Sequence, residues 1–195
     1  VDHIHSQIRK ILEEVPVSYI KWDMNRSFSD VFSNDMDRSS QGKVRHKYIL
    51  GVYDLYERLI QEFPEILFES CASGGARFDP GMLYYAPQAW TSDDTDAVER
   101  IKIQYGTSYV YPLSSMGSHV SASQNHQIYR DTPMDTRANA AYFGTFGYEL
   151  DLTRASQEEL EVMKRQTAFM KAYRGLIQKG IFYRLKSPFE HNSSA

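Results

Sequence analysis

The chain is short of cysteine, of clustered positive charge and of long apolar runs, and each shortage removes a class of protein. Cys71 is the one cysteine among 195 residues, so no disulfide can form within the chain, and a lone thiol fits a reducing compartment. No run of Lys or Arg stands out. A net charge of −3 with a pI near 6.1 offers little to a nucleic-acid backbone or an anionic membrane surface, and neither partner is expected. No apolar stretch approaches the roughly 20 residues of a membrane span, and the first residues, VDHIHSQIRK, lack a signal-peptide pattern. What the chain does have is 42% hydrophobic and 24% charged residues, the balance of one globular domain or of part of one. Aromatic residues reach 13%, which suits either a tightly packed core or a cleft that stacks on sugar rings and other flat faces.

Apolar residues at Ile4, Ile8, Ile11 and Leu12 predict a helix over Ile4 to Glu14, closed by Pro16. Val17 to Trp22 then reads as a short buried strand, followed by a polar, Ser-rich loop through roughly Gly42 and a helix marked by Tyr48, Leu50, Val52, Leu55, Leu59 and Ile60 that ends before Pro64. Ile66 to Phe68 is a second strand, opening into the loop ASGGARFDPG, and Gln88 to Thr91 a third, entering SDDTD. Ser92, Asp93 and Thr95 are candidate caps for a helix over Ala97 to Tyr105. Tyr109, Val110 and Tyr111 predict a fourth strand, with a long polar loop after it that holds Met116, His119, Asn125 and His126. A helix over Arg137 to Phe143, a fifth strand over Tyr148 to Leu152, and a long helix over Ser156 to Gln178, with Ser156 and Glu159 spaced as a capping box, complete the chain. Strand, loop and helix repeated about five times predict a parallel α/β sheet. Polar residues at strand ends are where doubly wound sheets and (β/α)8 barrels alike place their sites.

Two acidic clusters lie at strand ends: Asp23 in YIKWD, and Asp93, Asp94 and Asp96 after QAWT. Two carboxylates facing each other across one barrel mouth are the apparatus of glycoside hydrolysis. In the retaining form they stand about 5 to 5.5 Å apart, one attacking the anomeric carbon while the other protonates the leaving oxygen. Lys21 and Asn25 would flank Asp23, the first favouring its charged form and the second fixing its orientation, while Trp22 and Trp90 could supply apolar ring surface. Plainer readings compete. Acids after a strand are often helix caps, DDTD could hold Mg²⁺, and Lys21 and Asp23, two apart on a strand, could be no more than an ion pair. Glu69 could be a strand-end ion-pair partner, Cys71 a small buried hydrophobe, Gly74-Gly75 a tight turn, and His119 and His126 a surface pair.

YIKWDMNR, together with ESCASGGARFDPGMLYYAPQAWTSDDTDAVERIKIQYGTS, resembles bacterial α-galactosidases of glycoside hydrolase family 36, and the likeness runs across nearly the whole chain. The resemblance implies a (β/α)8 TIM-type barrel, retaining hydrolysis of terminal α-galactosides such as melibiose and raffinose, and no metal or organic cofactor. By position in the motifs, Asp23 is the implied nucleophile and Asp93 the implied acid/base. Lys21, Trp22, Met24, Asn25 and Cys71 are implied to bind the sugar, with Gly74 and Trp90 as weaker members of the set. Family members also carry an N-terminal β-sandwich, the opening barrel strands and a C-terminal β-domain. The resemblance therefore makes residues 1–195 the second half of the catalytic barrel, strands 4 to 8 with their helices. A homo-oligomeric full-length enzyme and a cytoplasmic location are implied as well. Two other outcomes stay open: a sugar-binding or structural piece without turnover, and a transglycosylase that builds galactosyl oligosaccharides.

Overall fold

The computed structural model describes residues 1–25, 29, 31–191 and 194–195. Of the loop predicted between Trp22 and Gly42, residues 26–28 and 30 lie outside the described set. Five parallel strands, β1 (Tyr19–Asp23), β2 (Leu67–Cys71), β3 (Gln88–Trp90), β4 (Met116–Ser121) and β5 (Thr145–Glu149), form one sheet in the order in which they occur along the chain. A doubly wound sheet would reverse direction at a switch point. Unbroken sequential order is the order of a (β/α) barrel, here present in part. Among the described residues β1 is hydrogen-bonded to β2 alone, which makes it an edge strand.

The helices are α1 (Asp2–Glu14), α2 (Val44–Glu62), α3 (Pro80–Tyr85), α4 (Ala97–Thr107), α5 (Met134–Ala141) and α6 (Gln157–Lys179). α1 stops where Val15 turns extended, as a residue before proline must, and Ile8 and Leu12 pack against the core. α2 buries Val52, Leu55, Tyr56 and Leu59, a helical stripe that meets Phe68 of β2 together with Met82 and Ala86. A second cluster forms where Val120 of β4 meets Ala138 and Ala141 of α5, with Phe146 and Tyr148 against it. α6 begins with the predicted capping box: the Glu159 amide donates to Ser156 Oγ at 3.1 Å, and the Ser156 amide to Glu159 Oε2 at 2.9 Å.

Three expectations need correction. Tyr109 to Tyr111 is not a strand: α4 runs on to Thr107, and the amides of Tyr109, Val110 and Tyr111 fold back onto the carbonyls of Gly106 and Thr107 as its closing turn. The fourth strand is Met116–Ser121, inside the segment expected to be a polar loop, and His119 therefore sits on a strand. The fifth strand lies three residues earlier than expected, and Leu152 instead starts a short 3-10 turn. α3 also arises within a stretch given no element by the pattern. Asp79 caps it by accepting from the Met82 amide at 3.0 Å, and Pro80 occupies its first turn.

Candidate active site

Successive side chains on a strand point to opposite faces. Ile20 and Trp22 of β1 turn toward the helices, where Trp22 packs against Tyr56 and Phe68. Tyr19, Lys21 and Asp23 therefore share the other face, where each strand adds to the same row. β2 contributes Glu69 and Cys71, β3 Gln88 and Trp90, β4 Gly117 and His119, and β5 Gly147 and Glu149, all tied by strand register.

Along this face the contacts are continuous. Lys21 Nζ lies 3.9 Å from Glu69 Oε1 and 4.2 Å from the centre of the Trp90 ring. Arg100 of α4 sits 4.7 Å from that ring, and the His119 ring is 4.6 Å away. His119 Nδ1 is 3.6 Å from Glu149 Oε2, and this contact holds the Glu149 carboxyl below its ordinary range. Glycine makes the stack possible, since a Cβ on Gly117 would stand 2.9 Å from the Trp90 ring and one on Gly147 equally close to His119. Glu69 is only 2% exposed. Its Oε2 accepts from Gln88 Nε2 at 2.9 Å and from the Tyr19 hydroxyl. Burial pushes the Glu69 carboxyl up to about 7, against the pull of the Gln88 hydrogen bond.

Asp23 ends β1 directly opposite Cys71, the last residue of β2. Burial pushes the Cys71 thiol up to about 11, and the neighbouring Asp23 carboxylate adds to the rise. Asn25 Nδ2 donates to Asp23 Oδ2 at 2.9 Å, while Asn25 Oδ1 accepts from the Ser73 amide at 2.5 Å. Arg77 joins the two strand ends by donating to the carbonyls of Met24 at 2.9 Å and Cys71 at 2.6 Å. Gly74 follows Ser73 at φ +77°, close against the next strand end. A Cβ there would lie 2.7 Å from Ser92 Cα and 2.9 Å from the Asp93 nitrogen. One chain of contacts thus runs from the Asp23 carboxylate through Asn25, Ser73 and Gly74 to the backbone of Asp93.

The residues of SDDTD divide by task. Asp96, not Ser92, Asp93 or Thr95, caps α4, accepting from the amides of Val98 and Glu99 at 3.0 Å each. Asp94 Oδ1 accepts from the Asp96 amide, and Ser92 Oγ from the Asp94 amide. Thr95 and Asp96 are buried, while Asp93 is exposed and its side chain makes no hydrogen bond or ion pair among the described residues. Asp94 and Asp96 each commit one carboxylate oxygen to the backbone. No group of three or more His, Cys, Asp or Glu gathers as metal ligands among the described residues.

Of the residues picked from the sequence, Lys21, Asp23, Asn25, Cys71 and Trp90 come together at one end of the sheet. Gly74 joins them as backbone. Trp22 and Met24 do not present their side chains there: both pack against the core cluster around Tyr56, because alternation along the strand turns every second residue of KWDMN to the helix side. Lys21 pairs with Glu69 rather than with Asp23. Gln88, Arg100, His119 and Glu149 went unread as site residues. Period-two alternation from Gly117 would have shown His119, had β4 itself been legible.

The profile of the family described as Melibiase matches residues 1–180. The chain is 53% identical over 194 residues to Alpha-galactosidase AgaA of Geobacillus stearothermophilus, covering 100% of this chain and 27% of that protein. It is 52% identical over 186 residues to Alpha-galactosidase Mel36A of Lactobacillus acidophilus, covering 95% and 25%. A crystal structure of a variant of AgaA from Geobacillus stearothermophilus, in complex with raffinose, superposes with a TM-score of 0.96 at 52% identity, over 99% of this chain and 27% of that one. The chain thus spans about a quarter of the length of the curated relatives it matches.

Proposed function

The chain belongs to the melibiase family, and from that premise we propose that it supplies the half of a catalytic barrel that carries both reacting carboxylates of a retaining α-galactosidase. Raffinose and melibiose are the substrates proposed, raffinose because a relative 52% identical is described in complex with it. One observation carries the reading: among the acids of SDDTD only Asp93 is left without a structural task, and it is joined through Gly74, Ser73 and Asn25 to Asp23.

In the first step the Asp23 carboxylate attacks the anomeric carbon. The bond to the leaving oxygen breaks as Asp93 gives that oxygen its proton, leaving galactose esterified to Asp23. In the second step Asp93, now a carboxylate, takes a proton from water, whose oxygen attacks the same carbon and expels Asp23. Two inversions return the original configuration. Asn25 keeps one Asp23 oxygen oriented, and Lys21, held between Glu69 and the Trp90 ring, presents its ammonium to the sugar hydroxyls.

The free edge of β1 supports a second reading for the isolated 195 residues, that they form a sugar-binding or structural piece without turnover, since the strand bearing Asp23 is paired on one side only. Release of p-nitrophenol from p-nitrophenyl α-galactoside, by the full-length gene product and by these 195 residues alone, separates the two. In the full-length protein Asp23→Gly should lose turnover, and azide should restore it by forming the galactosyl azide of inverted configuration. Ordinary turnover in Asp23→Asn removes Asp23 from the mechanism. Galactosyl oligosaccharides as the main product at high acceptor concentration would instead identify a transglycosylase.

A further inference from the structure

Residues 122–133, between β4 and α5, fold over the loop that carries Asp93, and their contacts fall on Thr95 and Asp96, two and three residues beyond it. All three polar groups of Thr95 are engaged: its amide donates to Gln127 Oε1 at 3.0 Å, its hydroxyl accepts from Asn125 Nδ2 at 3.1 Å, and its carbonyl accepts from Ser121 Oγ at 2.7 Å. Asn125 is itself buried. Its Oδ1 accepts from the amides of Gln127 and Ile128 at 2.9 and 3.1 Å, and its own amide donates to the Arg130 carbonyl at 3.0 Å, so these residues form one folded unit. Arg130 then reaches across as a fork. One guanidinium nitrogen donates to Asp96 Oδ1 and another to Glu99 Oε1 at 3.3 Å.

Asp96 is 1% exposed, and its Oδ2 has no hydrogen-bond partner among the described residues. Its Oδ1 alone receives Arg130 and the two helix amides. Without Arg130 a buried carboxylate would keep only those amides, and it must then shift, take up water or bind a proton. Any shift is passed backward along Asp96 N to Asp94 Oδ1 and then Asp94 N to Ser92 Oγ, the second of which spans Asp93. On the other side the Gly74 backbone already leaves no slack.

We infer that Arg130 is a positioning residue for the acid/base Asp93, acting through Asp96; the inference rests on the assignment of Asp93 proposed above. Arg130 touches neither of the reacting carboxylates. What it fixes is the distance over which Asp93 hands its proton to the leaving oxygen.

Leaving groups of different acidity test this, because p-nitrophenolate departs with little help from an acid whereas a sugar alkoxide does not. In the full-length gene product, Arg130→Gln should lower kcat/KM for melibiose and raffinose by about 10- to 100-fold, while p-nitrophenyl α-galactoside loses less than about 3-fold. Arg130→Lys, which keeps a charge for Asp96 but not the fork to Glu99, should fall between. Gln127→Ala should show the same selectivity in weaker form. Equal loss on both kinds of substrate, no loss on either, or failure of these variants to fold would give Arg130 a purely structural role and overturn the inference. Asp93→Ala is measured beside them. If it shows no dependence on the leaving group, the assignment of Asp93 fails in its own right; if it does and Arg130→Gln does not, the positioning role alone fails.

Discussion

Alanine at Gly74 would add one carbon in the loop after β2, which lies between the end of β1 with Asp23 and the segment after β3 with Asp93. Two costs follow from the geometry. At φ +77° an L-residue is strained by about 1 to 2 kcal/mol. The new Cβ would also stand 2.7 Å from Ser92 Cα and 2.9 Å from the Asp93 nitrogen, where ordinary contact begins at 3.4 Å, so these backbone atoms must retreat by 0.5 to 0.7 Å. Neither is the end of a flexible side chain, and Asp96, tied to α4 and Arg130, blocks an easy retreat. Misplacing a catalytic group by about 1 Å can cost about 100-fold in rate. Gly74→Ala is therefore expected to lower kcat for melibiose by about 10- to 100-fold and stability by about 2 to 5 kcal/mol, the strain plus overpacking. Steady-state kinetics and thermal melting of the full-length gene product read the two effects separately. Gly75→Ala, which meets the Thr91 carbonyl at 2.7 Å without the positive φ, should keep more of its stability. Full kcat in Gly74→Ala would refute the close approach of Gly74 to Asp93, and with it the chain of contacts that links Asp93 to Asp23.

Glu69 makes stability depend on pH. Its carboxyl is raised from 4.5 to about 7, so the folded state binds the proton more tightly than the unfolded chain; the contribution of Glu69 to stability is fully present below about 4.5 and is lost as pH climbs through 7, by about 3 kcal/mol in all. Glu69→Gln should flatten that part of a denaturation-versus-pH curve, and an unchanged slope would show that Glu69 is charged throughout. Trp22→Phe should cost stability through lost packing on Tyr56 and Phe68, by about 1 to 3 kcal/mol, with KM for p-nitrophenyl α-galactoside unchanged. A raised KM at constant stability would turn Trp22 back toward the substrate.

The first three strands were legible because their helix-facing residues, Ile20 and Trp22, Phe68, and Ala89, sit in short apolar runs, the first two of which follow punctuation at Pro16 and Pro64. β4 was not, for the reason that makes it useful: in MGSHVS only Met116 and Val120 are apolar, and the positions between them are small or face the polar side of the sheet. Tyr109 to Tyr111 has the stronger β propensity of the two segments, yet hydrogen bonds back to the last turn of α4 decide its conformation. The site was readable as a motif but not as an arrangement. Four of the five residues of SDDTD are built to cap or brace, and only the hydrogen-bond ladder assigns the cap to Asp96 and releases Asp93. Trp22 and Met24 belong to the motif by position and to the core by direction. That distinction was available from alternation along a strand alone.

An edge strand is also a clock. The amides that β1 turns toward β2 come free only when the two strands part, so their exchange with deuterated solvent reports how often β1 lifts away from β2. Because Asp23 is the last residue of that strand, each such opening also breaks its register with Cys71 and the tie of its partner Asn25 to the Ser73 amide. Slow exchange of these amides would mark the fraction of time for which Asp23, the proposed nucleophile, is held in register. A strand laid parallel along the free edge would lengthen that time without touching a single atom of the sugar.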